Sequence, residues 1–428
     1  MRKRTSSSSD EARKHPGDRA EEEERIVTDQ ELSRYLQRLA QTPLNRRGFL
    51  YASGLAATAA ALAACGGSSA TATPAPTTAP ASTGPSAAPS ATPAPTPVDV
   101  GKDLFMYNWS DYVAPDNIEA FKAAFGVDNF TYDTYASNEE LMTKLQGGAK
   151  GQWDVAAPTA EFVPAMRDQS FIQKLDLSRI PNAKYIDKAF KGLWWDPTDE
   201  WQVPKDWGTT GIAVRTKVVK EEVSTWKQFL EIAPKYSGRI VIVDSPGDVF
   251  VAPLKSLGYS LNSVDPGELE QARKLLMALA PHVLALDSDQ YAQKLQTEEA
   301  VLGLVWTGNI LPMRDVAETK DTVYTIPADG TLFWMDTWTI LADPPHLDAA
   351  YAFLNFIQEP EIQAKETESN YYATANDEAK KFVDPKILND PAVFVPDDVM
   401  AKLEGAKDVS TDKLRVSIWE EFKSKIGS

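Results

Sequence analysis

Leu104-Phe105-Met106-Tyr107-Asn108-Trp109 runs directly into Ser110-Asp111-Tyr112, a strand-like apolar run that ends in an aromatic and acidic turn. The residues that follow repeat this plan. Pro115 predicts the first turn of a helix with Ile118, Phe121 and Phe125 on one face and Gly126 as its stop. Residues 130–135 alternate aromatic and polar side chains, as a half-buried strand does. Ser137-Asn138-Glu139-Glu140 is a capping box for a helix carrying Leu141 and Leu145, and Gly147-Gly148 ends it. Residues 153–157 complete the unit as a third strand. The rhythm returns in a strand at 239–244, a helix at 248–257, a helix at 266–280 capped by Asp265, and a strand at 301–306. Strands alternating with helices of this length predict an α/β protein whose sheets are mostly parallel, with crossover helices. Two extended stretches near 207–214 and 330–338, rich in glycine and aromatics, are candidate crossings between two lobes. No internal repeat of fixed period is present.

The amino-terminal quarter reads differently. Of 29 prolines in 428 residues, many fall within 66–97, which is almost wholly Ala, Thr, Ser, Pro and Gly and reads as a solvated tether. Residues 1–44 are polar and charged, with an acidic run at 21–24, and read as a disordered extension. Between them lie Asn45-Arg46-Arg47-Gly48-Phe49-Leu50 and an uncharged stretch ending Leu62-Ala63-Ala64-Cys65. A basic pair, a short apolar segment and small residues before a cut are the parts of a secretory signal. The 17 uncharged residues 48–64 are short of the roughly 20 that a spanning helix needs. Arg46 and Arg47 followed by Phe49-Leu50 look like a twin-arginine export signal, with Asn45 where Ser or Thr is usual. Leu-Ala-Ala-Cys-Gly resembles a lipoprotein cleavage site, which would place acyl chains on Cys65 and hold the chain at a membrane surface. Cys65 is the only cysteine and His15, His282 and His346 are the only histidines, which excludes an intramolecular disulfide and disfavours a metal centre. Past residue 64 the chain carries 33 basic against 52 acidic residues, a formal charge of −19. That argues against a nucleic-acid partner and for cationic or neutral ones.

Acidic and aromatic residues gather where predicted strands end: Trp109, Ser110, Asp111 and Tyr112; Thr159 and Glu161; Asp244, Ser245 and Asp248; Trp306 and Asn309; Trp334 and Asp336. In open α/β sheets ligands lie at the carboxyl ends of strands, so these turns would converge on one crevice. Plainer roles compete. Asp244 and Asp248 flank a helix start and serve equally as caps, Glu161 suits a solvated first turn, and the tryptophans suit a core. Asp336, set between two tryptophans, is harder to place so, because a carboxylate among apolar groups needs a partner. Carboxylates interleaved with flat rings match an alkyl di- or triamine. Each ammonium takes charge-assisted hydrogen bonds and cation–π contacts, and the methylene stem takes ring faces. A carbohydrate also favours such a surface.

The chain from about Asp103 onward resembles the bacterial spermidine/putrescine-binding proteins, the solute receptors of polyamine ABC importers. The resemblance rests on Tyr107-Asn108-Trp109-Ser110-Asp111-Tyr112, Tyr135-Ala136-Ser137-Asn138-Glu139, Trp153-Asp154-Val155, Val249-Phe250 after Asp248, Leu257-Gly258-Tyr259, Phe333-Trp334-Met335-Asp336, residues 349–360, and Tyr372-Ala373-Thr374-Ala375-Asn376, in order and spacing. It implies a two-lobed, periplasmic-binding-protein-like α/β fold with mixed, mostly parallel sheets and a hinge. It also implies roles: Trp109, Ser110, Asp111 and Tyr112 as one wall, Thr159 as a hydroxyl donor, Asp248 as the acid of the second lobe, Trp306 and Trp334 as rings along the stem, Asp336 as the amine anchor, and Tyr372 as a further ring. Ser245 stands where spermidine-preferring members have an aspartate, Asn309 where putrescine-preferring members have another, and Glu161 where the family has a tyrosine or a small residue. The ligand's length is therefore open.

The expected organisation is an extension with export signal (1–64), a lipidated cysteine and linker (65–97), a first lobe from 98–208 and 335–382, and a second from 209–334 and 383–428. The resemblance implies a monomeric, non-enzymatic receptor without cofactor or metal. It would be anchored outside the cytoplasmic membrane, in the periplasm or at the cell surface, and would serve a transmembrane permease with a cytoplasmic ATPase. An exported carbohydrate-binding or carbohydrate-active protein, and a polyamine sensor, are the alternatives.

Overall fold

A computed structural model describes residues 99–426. The readings on Arg46, Arg47, Cys65 and segments 1–64 and 65–97 lie outside the described residues.

Strand β1 (Asp103–Asn108) lies between β2 (Asn129–Thr134) and β3 (Val155–Ala156), parallel to both. The connecting helices form where the sequence places them. Pro115–Phe125 begins on its proline and ends at Gly126, whose φ of 70° closes the last turn onto the Lys122 carbonyl. In Asn138–Gln146 the Ser137 hydroxyl accepts from the Glu140 N–H, and the Glu140 carboxylate accepts from the Ala136 N–H. Phe121 anchors the first helix by meeting Phe353 of helix Leu347–Ile357 edge to face at 5.3 Å. Strand β3 is shorter than predicted, because the Asp154 carboxylate rather than a backbone carbonyl accepts the Phe105 N–H at 2.7 Å. The same carboxylate accepts from the His346 N–H.

Strands β4 (Val203–Arg215) and β9 (Leu332–Ile340) form at the two extended stretches, and both are buried along their whole length. They pair antiparallel from Val203↔Trp338 to Thr209↔Phe333. The far end of β9 pairs with β3, through Val155↔Ile340. The far end of β4 pairs with β7 (Leu302–Trp306) and β8 (Thr322–Thr325). Beyond β7, strands β5 (Ile240–Ile242) and β6 (Val283–Leu286) run parallel. A short β10 (Glu404–Gly405) adds to β9. The order β2-β1-β3-β9-β4-β7-β5-β6 is one curled mixed sheet, parallel in each outer part and antiparallel at its centre.

The helix predicted at 248–257 is two pieces, Pro246–Val249 and Val251–Ser256. Pro253 has no N–H to give the Val249 carbonyl, so the ladder breaks at Phe250. Helix Pro266–Leu279 starts as read, with the Asp265 carboxylate accepting from the Gly267 and Glu268 N–H groups.

Candidate functional site

Strand ends from both parts of the sheet open onto one cavity of about 470 Å³. Its wall includes all twelve residues singled out from the sequence: Trp109, Ser110, Asp111, Tyr112, Thr159, Glu161, Asp248, Trp306, Asn309, Trp334, Asp336 and Tyr372. They are not equally enclosed. Ser110, Asp111 and Asn309 are exposed at the rim, Asp111 with a left-handed φ of 51°. Tyr112, Thr159, Asp248, Trp334, Asp336 and Tyr372 are buried. Trp109, Glu161 and Trp306 are half-buried.

The rings form a box held by its neighbours. Trp334 meets Tyr372 edge to face at 4.7 Å, Tyr112 meets Tyr372 at 5.8 Å, and Trp109 meets Trp306 at 5.6 Å. Trp109 Nε1 donates to the Ala157 carbonyl at 2.9 Å, which fixes its plane. Tyr372 enters the box because helix Pro360–Asn370 ends in a left-handed Tyr371. Two glycines make room. A Cβ on Gly208 would lie 2.6 Å from the Trp334 ring, and one on Gly308 would lie 2.6 Å from the Tyr372 ring.

The carboxyl groups set the electrostatics. Asp336 sits in β9 and is 5% exposed. Its Oδ2 accepts from the Tyr112 hydroxyl at 2.6 Å, and its buried Oδ1 has no hydrogen-bond partner among the described residues. Burial first, then repulsion by Asp206, pushes its pKa up to about 7, against the Tyr112 hydrogen bond, Thr159 and Lys205, which lower it. Thr159 is itself placed by Asn138, whose Nδ2 donates to its hydroxyl at 2.8 Å. Asp248 is not a helix cap: it accepts from the Thr210 hydroxyl and, at 3.1 Å, from Trp306 Nε1. Burial raises its pKa too. Burial raises Glu161 well above the usual range, with Asp336, Asp248 and Asp408 adding repulsion, and lifts Glu139 to about 7. Asp244 and Asp289, also on the wall, shift the same way. Three basic residues line the mouth, Lys407, Arg415 and Lys423. Arg415 is committed to the Leu261 and Ser263 carbonyls and Lys423 to Glu420. The cavity is thus a dense group of mutually repelling carboxyls beside aromatic edges, an arrangement that an entering cation relieves. Among the described residues no group of three His, Cys, Asp or Glu is placed to hold a metal ion.

Sequence reasoning missed what stands behind this wall. Lys205 and Asp206 are 1% and 2% exposed and pair at 2.6 Å. Asp206 lies directly across the β4–β9 ladder from Asp336. Glu366, from helix Pro360–Asn370, faces Lys205 at 3.7 Å and accepts from Asn117 Nδ2 at 2.7 Å. The available signal was Pro204-Lys205-Asp206-Trp207, a charged pair just ahead of the extended stretch read near 207–214. Glu139 and the face of the last helix, Lys413–Lys425, bearing Trp419 on the cavity wall, were likewise not anticipated.

Paired crossing strands behind a cavity of converging strand ends are the frame of a two-lobed solute receptor. The chain belongs to the bacterial extracellular solute-binding proteins, the family whose profile matches residues 117–395. Among its relatives, the spermidine/putrescine-binding periplasmic protein of Escherichia coli (strain K12) is 32% identical over 329 residues, covering 77% of this chain and 92% of that one. The TpPotD lipoprotein of Treponema pallidum has a similar structure, with TM-score 0.67 and 28% identity over 75% of this chain and 99% of that one. The spermidine/putrescine ABC transporter substrate-binding protein PotD of Streptococcus pneumoniae superposes with TM-score 0.63 and 28% identity over 76% and 99%.

Proposed function

We propose that this protein is an extracytoplasmic receptor for a small polyamine of the putrescine or spermidine class, which it hands to an ABC importer. One observation carries the reading: Asp336 is a buried carboxyl with an unpartnered oxygen, on the wall of a ring-lined cavity whose other perturbed carboxyls are all raised. A protonated amine supplies the missing donor and lowers the repulsion at once. A neutral sugar would use the rings but leave the repulsion standing, which weighs against the carbohydrate alternative. Roles follow for the twelve wall residues. Asp336 and Tyr112 hold one ammonium, and Asp248, with Glu161 and Asp111 nearer the rim, faces the other end. Trp109, Trp306, Trp334 and Tyr372 cover the stem, while Ser110, Thr159 and Asn309 add polar contacts.

In this reading the lobes are 98–208 with 335–382 and 209–334 with 383–428, and β4 and β9 are the hinge. Closure gains free energy only if the ligand touches both lobes, as contacts to Asp336 and Asp248 together would achieve. The charge of −19 beyond residue 64 speeds encounter with polycations, an effect that salt weakens. The receptor would act as a monomer tethered through acylated Cys65, exported by way of Arg46 and Arg47, and would carry out no chemistry on its ligand. Isothermal calorimetry of the purified protein with putrescine, spermidine, spermine and 4-aminobutyrate tests this. One saturable site for at least one polyamine is expected; heats indistinguishable from dilution for every polyamine would overturn it.

A further inference from the structure

Behind the cavity wall lie charges that holding an amine does not require. One hydroxyl, Tyr112 Oη, is 2.5 Å from Asp206 Oδ1 and 2.6 Å from Asp336 Oδ2. A phenol has one proton and donates it once. With both carboxyls ionised, one anionic oxygen would press on a lone pair of Tyr112 at hydrogen-bond distance. A second proton removes the conflict if one carboxyl group carries it and donates it to Tyr112. Lys205 decides which group that is. Its Nζ lies 2.6 Å from Asp206 Oδ2, 3.7 Å from Glu366 Oε2 and 3.4 Å from the centre of the Tyr112 ring. The ion pair places the negative charge on Asp206. The extra proton falls to Asp336 Oδ2, and Asp336 Oδ1 stays unpartnered.

We infer that Lys205 and Asp206 act through Tyr112 to place a displaceable proton on Asp336, so that amine capture expels a proton from the site. The inference rests on the amine reading above. As an ammonium reaches Oδ1, the O–H bond at Oδ2 breaks, its proton passes to solvent, and Tyr112 turns its own proton from Asp206 to Asp336; the ammonium on Asp336 and Lys205 on Asp206 then offset the repulsion that the second carboxylate puts on Tyr112. Asp206 keeps Lys205. One positive charge replaces another, and no other covalent bond changes. The groups around Asp336 favour this state. Asp206 and Lys205 come from β4, Tyr112 and Tyr135 from the ends of β1 and β2, Glu161 from the turn after β3, Glu366 and Tyr372 from helix Pro360–Asn370 and its exit, and Asp248 from across the cavity. Only Lys205 among them is a cation; burial first and the Asp206 charge second raise Asp336 to about 7, against Tyr112, Thr159 and Lys205, which lower it.

Lys205 and Asp206 are positioning residues, and their readout is a proton count. Calorimetric titration of the full protein with spermidine, in buffers of different ionisation enthalpy at one pH, gives the protons released per ligand. Release of about half a proton near pH 7, rising toward about one near pH 6, is expected from a group titrating near 7. Primary amines stay protonated throughout this range. The double variant Lys205→Met with Asp206→Leu leaves Tyr112 a single carboxylate to serve. Its release near pH 7 should fall by at least half while binding still saturates. Saturable binding with equal enthalpy in every buffer overturns the inference and leaves the amine reading standing. Undiminished release in a folded double variant assigns the proton to another group, such as Glu139 or Glu161, and overturns it as well. If no polyamine binds, both fall. If the double variant does not fold, the same buffer series on Asp206→Asn decides by the same criterion: undiminished release overturns the inference.

Discussion

Replacing Asp336 with asparagine keeps the shape of the side chain and removes its charge. A charge-assisted hydrogen bond contributes about 1.5–3 kcal/mol, and stranding one partner of a buried pair costs about 3–5 kcal/mol. The other carboxyls of the cavity still attract the ammonium, so a value between these two figures applies, about 2–4 kcal/mol. That corresponds to roughly 30- to 1,000-fold weaker polyamine binding. An opposing term exists: the unaltered protein must ionise Asp336 to bind. With a pKa of about 7 this costs only about 0.4 kcal/mol near pH 7, too little to reverse the sign. Stability should move the other way. Asp206 and Asp336 face each other across one ladder, and a neutral residue at 336 ends the repulsion. The ligand-free variant should therefore melt at or above the temperature of the unaltered protein while its spermidine titration collapses. Calorimetry and thermal unfolding on the same preparation check both. A dissociation constant within about threefold of the original would refute the reasoning, as would a loss of affinity accompanied by an equal loss of stability.

Two further outcomes follow from the same geometry. Asp336 and Glu139 are held near 7, so the folded chain keeps protons that the unfolded chain gives up above the ordinary carboxylate range. The stability of the ligand-free protein should accordingly fall as pH rises from about 4 to about 7, and spermidine should flatten that slope. A melting temperature that climbs across this window without ligand would contradict the assignment. Gly308→Ala drives a methyl group into Tyr372 and the Asn370 carbonyl; about 1–3 kcal/mol of destabilisation and at least tenfold weaker binding are expected. Unchanged affinity would mean that Tyr372 does not contact the ligand.

The strand–helix alternation was legible because its signals are local. Pro115, Gly126, Ser137 and Asp265 each act within one turn of themselves, and the structure keeps every one of those caps. The wall residues were legible for a related reason, since the end of a strand is a position in sequence as well as in space. The missed features depend on partners far along the chain. Nothing near Lys205 announces Glu366, and a lysine beside an aspartate ordinarily marks a solvated surface. The Asp154 side chain, tied to Phe105 and His346, takes an acceptor place in the ladder, so the third strand read longer than it is. Pro253 did carry a local signal for the helix break, outweighed by the apolar run around it.

Strand β9 also governs how such a chain can be made. Residues 155 and 340 are ladder partners, so β3 waits for about two thirds of the remaining sequence before its second edge is covered. No early-synthesised piece is self-sufficient, and long-range pairing of this kind makes folding slow. A truncation that stops before residue 332 should leave sticky, unpaired edges rather than a smaller working protein, and the cell must keep the nascent chain from aggregating until its last third has emerged.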